Sequence, residues 1–204
     1  MPIHWEPRAP QDNLEIRVFA AMLKNHLDPL KKKLRALHQV APPSPWRQVA
    51  TIAVGGLRSV GFDRNSELLL VISSAGRGVI DCRTGTKVAR DYNEYYEHEQ
   101  FLEAEGIGPL QGQTVRISGL LGGGLPVSTL DGWSVELVSL DWPVTDILLV
   151  EPSSFLYGSL YGKPAIFHKI GAESELCACG FSYIGNSLVV ASPSDVAIFS
   201  RDCS

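Results

Sequence analysis

Two stretches of this chain repeat one pattern, and that pattern decides the fold. The first reads VGFDRNSELLLVISS over residues 60–74 and continues with GVIDCR over residues 78–83. The second reads CGFSYIGNSLVVAS over residues 179–192 and continues with VAIFSR over residues 196–201. Each copy places apolar runs between short polar segments, which is typical of strands joined by tight turns. We therefore expect two similar antiparallel meanders, lying in one sheet or in two.

The chain beyond residue 45 continues this β pattern. Short apolar runs are separated by Gly, Pro, Asn and Ser, the residues that favour turns. The spacing predicts strands at Val49–Val54, Ser59–Asp63, Leu68–Ser73, Gly78–Cys82, Val115–Ser118, Ser134–Leu140, Ile147–Glu151, Ala165–Lys169, Ser187–Ala191 and Val196–Ser200. We expect them to form a mainly antiparallel β domain over residues 46–204.

The N-terminal segment, residues 1–41, has a helical periodicity instead. Apolar residues recur at helical spacing from Asn13 to Leu27, which predicts a helix that buries Leu23 against the β domain. Asp28 followed by Pro29 is typical of an N-cap and first turn, and predicts the start of a second helix. The fold class predicted from the sequence is therefore α+β: an N-terminal helical pair and a mainly antiparallel β-sheet domain, together one compact unit.

The repeated pattern resembles a blade of a β-propeller. The first copy carries the phrase G-F, then L-L-V, then G-V-I-D, and Thr84-Gly85 supplies a closing turn. The chain contains no Trp-Asp dipeptide and no regular series of further copies. A closed propeller needs more blades than this length supplies. The resemblance therefore implies blade-like meanders rather than a complete propeller.

Charge divides the chain into blocks of opposite sign. Residues 1–90 hold fourteen Lys and Arg against seven Asp and Glu, whereas residues 91–162 hold eleven acidic residues against Arg116 alone. Such asymmetry bears on association and partner choice more than on fold. The whole chain has a net charge of −4, which argues against direct binding to nucleic acid, since that affinity comes largely from a basic surface.

The chain shows neither a secretory signal nor a long apolar run typical of a membrane helix, so we expect a cytoplasmic protein that does not bind membranes. Its four cysteines are unevenly spaced, which favours reduced thiols over a disulfide framework. Cys177 and Cys179 could begin a zinc site, but too few further ligands lie near them in the sequence. We therefore expect no metal and no cofactor.

Three patterns approach a catalytic motif without completing it. Ser182 lies between Gly180 and Gly185, which is one residue from the spacing of a nucleophile elbow, with His168 as the conceivable base. His98-Glu99 would need a second histidine at position 102, where the chain has leucine. Carboxylates are plentiful in the β half, at Asp131, Glu136, Asp141, Asp146 and Glu151, yet no spacing pairs them. We predict no catalytic residues.

Residues 91–108 interrupt the strand pattern, and we expect a short helix or an ordered loop ending at Gly106. Tyrosines alternate here with carboxylates, which combines large contact area with a negative field. We predict that this segment contacts a basic protein partner through Asp91, Tyr92, Glu94, Tyr95, Tyr96, Glu97, Glu99 and Glu103. The alternative is that the same surface receives the chain's own basic helix, Lys31–Arg35.

The overall make-up resembles the small acidic immunity proteins that bacteria encode beside polymorphic or interbacterial toxins. The passage that carries the resemblance runs from GGLRSVGF, residues 55–62, to DCRTG, residues 81–85. The resemblance implies a non-catalytic protein that covers the basic active site of a toxin with an acidic surface. Two other functions stay open: a hydrolase or small-ligand enzyme with a carboxylate site in the β domain, and an oligomeric scaffold.

Overall fold

The structure, a computed structural model, describes residues 26–95 and 99–202. The chain divides into two compact units, the first ending at Leu37 and the second beginning at His38. In the described part of the first unit, residues 26–35 form one α-helix in which Leu30 and Leu34 are buried. The predicted burial of Leu23 falls outside the described residues.

The predicted start of a second helix at Asp28 is wrong. The helix is already formed at His26 and passes through Asp28 and Pro29 without a break. A proline removes one backbone N–H and disfavours the helical conformation of the residue before it, but neither effect forbids a continuous helix. Within the described residues there is therefore one α-helix where a pair was predicted.

The regular structure of the second unit is mainly antiparallel β-sheet, as predicted. Its described strands are β1 (Arg47–Ala53), β2 (Leu57–Phe62), β3 (Leu68–Ser73), β4 (Gly76–Asp81), β5 (Thr86–Asp91), β6 (Glu103–Glu105), β7 (Thr114–Arg116), β8 (Ser118–Gly119), β9 (Ser134–Asp141), β10 (Val144–Val150), β11 (Phe167–Glu173), β12 (Ala178–Phe181), β13 (Ser187–Ala191) and β14 (Asp195–Ser200). Short 3₁₀ helices occur at Glu99–Phe101, Gly108–Leu110 and Gly158–Tyr161. Every predicted strand overlaps an observed one.

The strands form four sheets. The first-repeat sheet has the order β5-β4-β3-β2-β8, and the second-repeat sheet has the order β1-β14-β13-β12. The outer sheet contains β11-β10-β9, and the small sheet contains β6-β7. The two repeated stretches therefore lie in different sheets.

Both repeats have the same register and the same turn hydrogen bonds, which confirms the prediction of two similar meanders. Equivalent strand pairs are Phe62–Leu69 and Phe181–Leu188 across the first turn, and Leu68–Asp81 and Ser187–Ser200 across the second pair of strands. Equivalent backbone hydrogen bonds run from Asp63 N to Leu68 O (2.9 Å) and from Ser182 N to Ser187 O (2.8 Å). The local sequence pattern thus determines the pairing in both copies.

The duplication extends to a fourth strand in each sheet, which lies outside the two repeated stretches of sequence. Strand β5 pairs with β4, and β1 pairs with β14 in the same way. Each carries a β-bulge at the equivalent position, at Val88 in β5 and at Val49 in β1. Four antiparallel strands are also the content of a propeller blade. The second repeat draws its fourth strand from the beginning of the unit, so it is assembled from distant parts of the chain.

Among the described residues, three apolar clusters pack between these sheets. One lies between the two repeat sheets and includes Phe62, Leu69 and Val189. A second lies between the second-repeat sheet and the outer sheet, and a third lies between the first-repeat sheet and the small sheet. Strand β3 is covered on both faces, which explains its uninterrupted run of apolar residues. No helix among the described residues is long and apolar enough to cross a membrane.

The helix considered for residues 91–108 is not present in the described part of that segment. Asp91 ends strand β5, Glu99–Phe101 form a single 3₁₀ turn, and Glu103–Glu105 form strand β6. Leu102 has a positive φ of 59°, which ends the turn and is incompatible with a continuing α-helix. The alternative prediction, an ordered loop, describes residues 91–95 and 99–108 better. Pairing with β7 replaces the helical hydrogen bonds.

Candidate functional site

The acidic segment, residues 91–105, begins at Asp91, whose carboxylate is bonded to other groups of the protein. The Asp91 carboxylate accepts a hydrogen bond from the backbone N–H of Asn93 (3.0 Å) and forms a 2.8 Å ion pair with Arg77. These two donors, Asn93 first, hold the pKa of Asp91 below its usual range. Asp91 therefore anchors the segment, and its charge is partly compensated by Arg77.

Tyr95 anchors the segment as well, although it was predicted to contact a partner. Its side chain is only 5% exposed, and its hydroxyl accepts a hydrogen bond from the backbone N–H of Glu105 at 2.9 Å. The Arg77 guanidinium lies 4.2 Å from the ring centroid, and Arg58 donates to the Tyr95 carbonyl. Tyr95 is therefore a core residue and cannot reach a partner in this structure.

Other side chains of the segment point outward. Tyr92 is 81% exposed and Phe101 is 66% exposed, while Glu94 and Glu103 are exposed carboxylates. Arg90 lies over the Tyr92 ring at 5.0 Å from its centroid. Glu99 begins the 3₁₀ turn, and the predicted contacts Tyr96 and Glu97 lie outside the described residues. Among the predicted contacts whose side chains the structure describes, Tyr92, Glu94 and Glu103 are accessible, and Phe101 is added to them.

A polar groove of about 560 Å³ lies beside the acidic segment. Its lining includes Arg77, Asp91, Glu105, Gln111, Gln113 and Thr114. Because Arg77 already pairs with Asp91, the groove does not present two free carboxylates as a general acid and base would require. Its mixed amides and charges are suited to hydrogen bonding with a polar side chain of a partner.

Most of the carboxylates named in the β half are paired with basic side chains. Three of them have separate basic partners: Asp131 with Arg201, Asp146 with Lys169, and Glu151 with His168. The last two pairs each have a nitrogen–oxygen distance of 2.7 Å. No group of three or more His, Cys, Asp or Glu is placed to hold a metal ion in the part of the chain that the structure describes.

Ser182, the residue closest to a nucleophile motif, has a structural role. It is 2% exposed, and its Oγ accepts hydrogen bonds from the backbone N–H groups of Gly185, Asn186 and Ser187 at 3.1–3.2 Å. The hydroxyl thus caps the β12–β13 turn. His168 is bonded to Glu151 instead.

Of the described thiols, Cys82 is buried in the core, and Cys177 and Cys179 are partly buried against apolar clusters. Burial, with smaller contributions from Glu67 and Asp81, raises the pKa of Cys82 well above its usual value. Burial also raises the pKa of Cys177, and it raises that of Cys179 to about 12. Because the thiolate is the reactive form, these shifts disfavour nucleophilic and metal-binding roles.

Arg201 joins the end of the second repeat to the loop before β9. Its guanidinium donates to the Asp131 carboxylate (2.8 Å) and to the Gly185 carbonyl (3.0 Å), and it lies 4.9 Å from the ring centroid of buried Trp46. The hydrogen bonds from Arg201 lower the pKa of Asp131 strongly. Asp131 therefore stabilises the fold in its ionised form.

We expect this ion pair to contribute to acid sensitivity. Because the pKa of Asp131 is lower in the folded state, its contribution is complete above the unfolded pKa of about 4 and is lost as the pH falls below that value. The Asp131→Asn variant should be less stable than the wild type at pH 7, and the difference should narrow below about pH 4. Urea denaturation across pH 2–7 measures the difference in the free energy of unfolding. The control is Asp202→Asn, which changes an exposed aspartate. A constant difference at all pH values would contradict the assignment.

A further exposed surface, which was not predicted from the sequence, is the aromatic loop of residues 152–166. Phe155, Tyr157 and Tyr161 are each more than half exposed. The loop is closed by backbone hydrogen bonds from Glu151 to Ile166 and from Phe155 to Pro164, both 3.1 Å. Exposed aromatic residues are frequent in protein interfaces. In the sequence, the feature that indicates this surface is the presence of three aromatic residues within a Gly-, Ser- and Pro-rich segment.

The fold and this surface define a class: a duplicated antiparallel β protein whose exposed features are an acidic segment and an aromatic loop. No protein-family model, no curated protein and no solved structure matches the chain. The proposals below are therefore derived from the contacts, charges and surfaces of the chain itself.

Proposed function

We propose that this chain is a protein-binding module that contacts a basic partner through its acidic segment, in the manner of an immunity protein that covers a toxin active site. The observation that carries the proposal is the way the segment is held. In the described residues of the segment, Tyr95 and Asp91 are held by contacts with the rest of the unit, while Tyr92, Glu94, Phe101 and Glu103 are exposed. A surface that is ordered before binding loses less conformational entropy when the partner arrives.

The exposed side chains contribute to binding in two ways. Glu94 and Glu103 supply negative charge, which speeds encounter with a basic surface and disfavours acidic partners. Tyr92 and Phe101 supply rigid contact area, and aromatic residues are common among the side chains that carry most of the binding energy. A basic toxin domain, such as one that acts on nucleic acid, matches this combination of charge and shape.

The two alternatives make different demands on the same surface. A hydrolase would need free carboxylates in the polar groove, where Asp91 is instead paired with Arg77. An oligomeric scaffold would bring the basic residues Lys31–Arg35 of one copy to the acidic segment of another. Light scattering of the purified protein separates a monomer from such a self-assembly.

The proposal predicts the result of a co-purification from cells of the source organism. With wild-type bait, one basic protein should be enriched in stoichiometric amount. With the bait Tyr92→Ala/Glu94→Gln/Glu103→Gln, recovery of that protein should fall at least about tenfold, because charge steering and an aromatic contact are removed together. Quantitative mass spectrometry of the eluates measures the ratio.

A matched control bait removes exposed aromatic rings elsewhere, in the variant Phe155→Ser/Tyr157→Ser. This bait should retain the partner, because the aromatic loop is a separate surface. The opposite pattern, with loss on the loop variant and retention on the acidic-segment variant, would move the interface to the aromatic loop and contradict the proposal.

A further inference from the structure

A cleft of about 440 Å³ opens on the first-repeat sheet, next to strand β5. Its floor contains the buried residues Val71 and Ile80, which lie on the same face of the sheet as Gly78, and Ala53 to Gly55 form one wall. Lys87, Arg90 and Tyr92 form part of its lining on the β5 side. The volume falls in the range of small-molecule sites, which is about 300–1,000 Å³.

The cleft exists partly because Gly78 has no side chain. Gly78 lies on β4 between Val71 of β3 and Arg90 of β5. A Cβ atom built on Gly78 would meet nothing closer than the Ala89 carbonyl oxygen at 3.6 Å. A larger residue can therefore be placed there without a backbone clash, and its side chain would reduce the space.

The charged residues that line the cleft, Lys87 and Arg90, are both basic. Lys87 donates to the Ala53 carbonyl at 3.3 Å and Arg90 donates to the Ala75 carbonyl at 2.6 Å, so each cation is tethered to a different part of the cleft. Each keeps further N–H groups beyond the one used in that bond. None of the described residues that line the cleft is acidic. An apolar floor with cations at its edge complements an anion that carries an apolar body.

The second repeat provides an internal comparison. At the positions equivalent to Gly78, Lys87 and Arg90 it has Ala197, Gln48 and Thr51. Gln48 and Thr51 are neutral and bond to each other at 3.0 Å. The duplicated backbone therefore does not require a glycine or two cations at these positions. Gly78, Lys87 and Arg90 are therefore particular to the first repeat.

We infer that this cleft binds a small amphipathic carboxylate, with its apolar body on Val71 and Ile80 and its carboxylate between Lys87 and Arg90. This goes beyond the proposed function, since it needs neither the partner protein nor the outward carboxylates of the acidic segment. Hydrogen bonds from two cations to one carboxylate are charge-assisted, and burial of the apolar body supplies the remaining affinity.

Calorimetric titration with octanoate, 1-octanol and octylamine tests the inference. The wild type should bind octanoate at least about tenfold more tightly than the neutral alcohol, and octylamine should bind most weakly. The variant Lys87→Gln/Arg90→Thr, which installs the second repeat's own residues, should lose at least about tenfold in octanoate affinity with the alcohol unchanged. Gly78→Val should weaken both octanoate and the alcohol, because it fills the space their common chain would occupy.

Arg83→Gln is the matched control, because Arg83 is an exposed cation in the β4–β5 turn and does not line the cleft. It should bind octanoate like the wild type. Thermal unfolding of each variant checks that the exposed β5 changes leave the fold intact. Absence of octanoate binding to the wild type, or equal octanoate affinity in the wild type and in Lys87→Gln/Arg90→Thr, would overturn the inference. Neither result would contradict partner binding through Glu94, Phe101 and Glu103, which do not line the cleft; Tyr92 belongs to both surfaces.

Discussion

Gly61→Ala and Gly180→Ala should each destabilise the protein by about 3 kcal/mol or more, at the upper end of the cost of overpacking a core. The two glycines occupy equivalent positions, one residue before Phe62 and Phe181 in the two repeats. A Cβ on Gly61 would lie 2.2 Å from the Arg116 carbonyl oxygen, and one on Gly180 would lie 2.5 Å from Leu125 Cβ and 2.8 Å from the Pro126 carbonyl oxygen. Each repeat thus uses its glycine to admit a crossing segment of the chain.

The crossing segments cannot simply move aside. Strand β7 pairs with β6, and the Phe181 N–H donates to the Pro126 carbonyl at 2.7 Å. Gly55→Ala and Gly124→Ala are matched controls, since a Cβ at either position meets nothing within 4 Å, and each should change stability by about 0.5 kcal/mol or less. Urea denaturation midpoints of the four variants and the wild type measure these differences in stability. Equal midpoints for Gly61→Ala and Gly55→Ala would show that the close approach has no energetic consequence.

Tyr95→Ala should cost about 3–5 kcal/mol of folding stability, the usual range for removing a large buried aromatic side chain. It leaves a cavity in the cluster shared with Leu70, Ile72 and Val79. It also removes the acceptor of the Glu105 N–H and the ring against which Arg77 lies. The acidic segment should lose its fixed position as a result.

Tyr92→Ala is the matched control in the same segment, because Tyr92 is largely exposed. It should leave the free energy of unfolding within about 0.5 kcal/mol of the wild type. Tyr95→Phe keeps the ring and removes only the hydroxyl, so it should cost about 1–3 kcal/mol through the unpaired Glu105 N–H. If Tyr95→Ala and Tyr92→Ala were equally stable, Tyr95 would not be the anchor of the segment.

The repeated meanders could be predicted because each is continuous in the chain. Phe62 to Ser73 and Phe181 to Ser192 carry their turn residues and apolar runs together, so local pattern determines local pairing. Strand β1 could not be assigned to the second repeat in this way. Its partner β14 lies near the other end of the chain, and no short-range signal reports so distant a pairing.

The acidic segment shows a different limit of sequence interpretation. Its charge and aromatic content were evident, and Tyr92, Glu94 and Glu103 are indeed exposed. Tyr92 and Tyr95 look alike in the sequence, yet one points outward and the other is buried. Their roles depend on Arg77 from β4 and on the backbone of Glu105, and neither contact can be inferred from the tyrosines themselves.

The cleft on the first-repeat sheet could not be predicted from the sequence. The cleft on the first-repeat sheet depends on Gly78, where a side chain is missing, and on Lys87 and Arg90 of the neighbouring strand. Strand β5 was not predicted, so its two cations had no predicted place. The equivalence of β5 and β1 makes the cleft recognisable, because it shows which residues the duplicated fold does not require.

The most direct test of the proposed function is the association rate of the co-purified partner with Glu94→Gln/Glu103→Gln, measured by stopped-flow over a range of salt concentrations. If the acidic segment is the contact surface, association at low salt should slow at least about fivefold and depend less on salt than for the wild type. The control Glu175→Gln/Asp202→Asn removes two exposed charges elsewhere and should associate like the wild type. Wild-type rates and wild-type salt dependence in Glu94→Gln/Glu103→Gln would contradict the proposal.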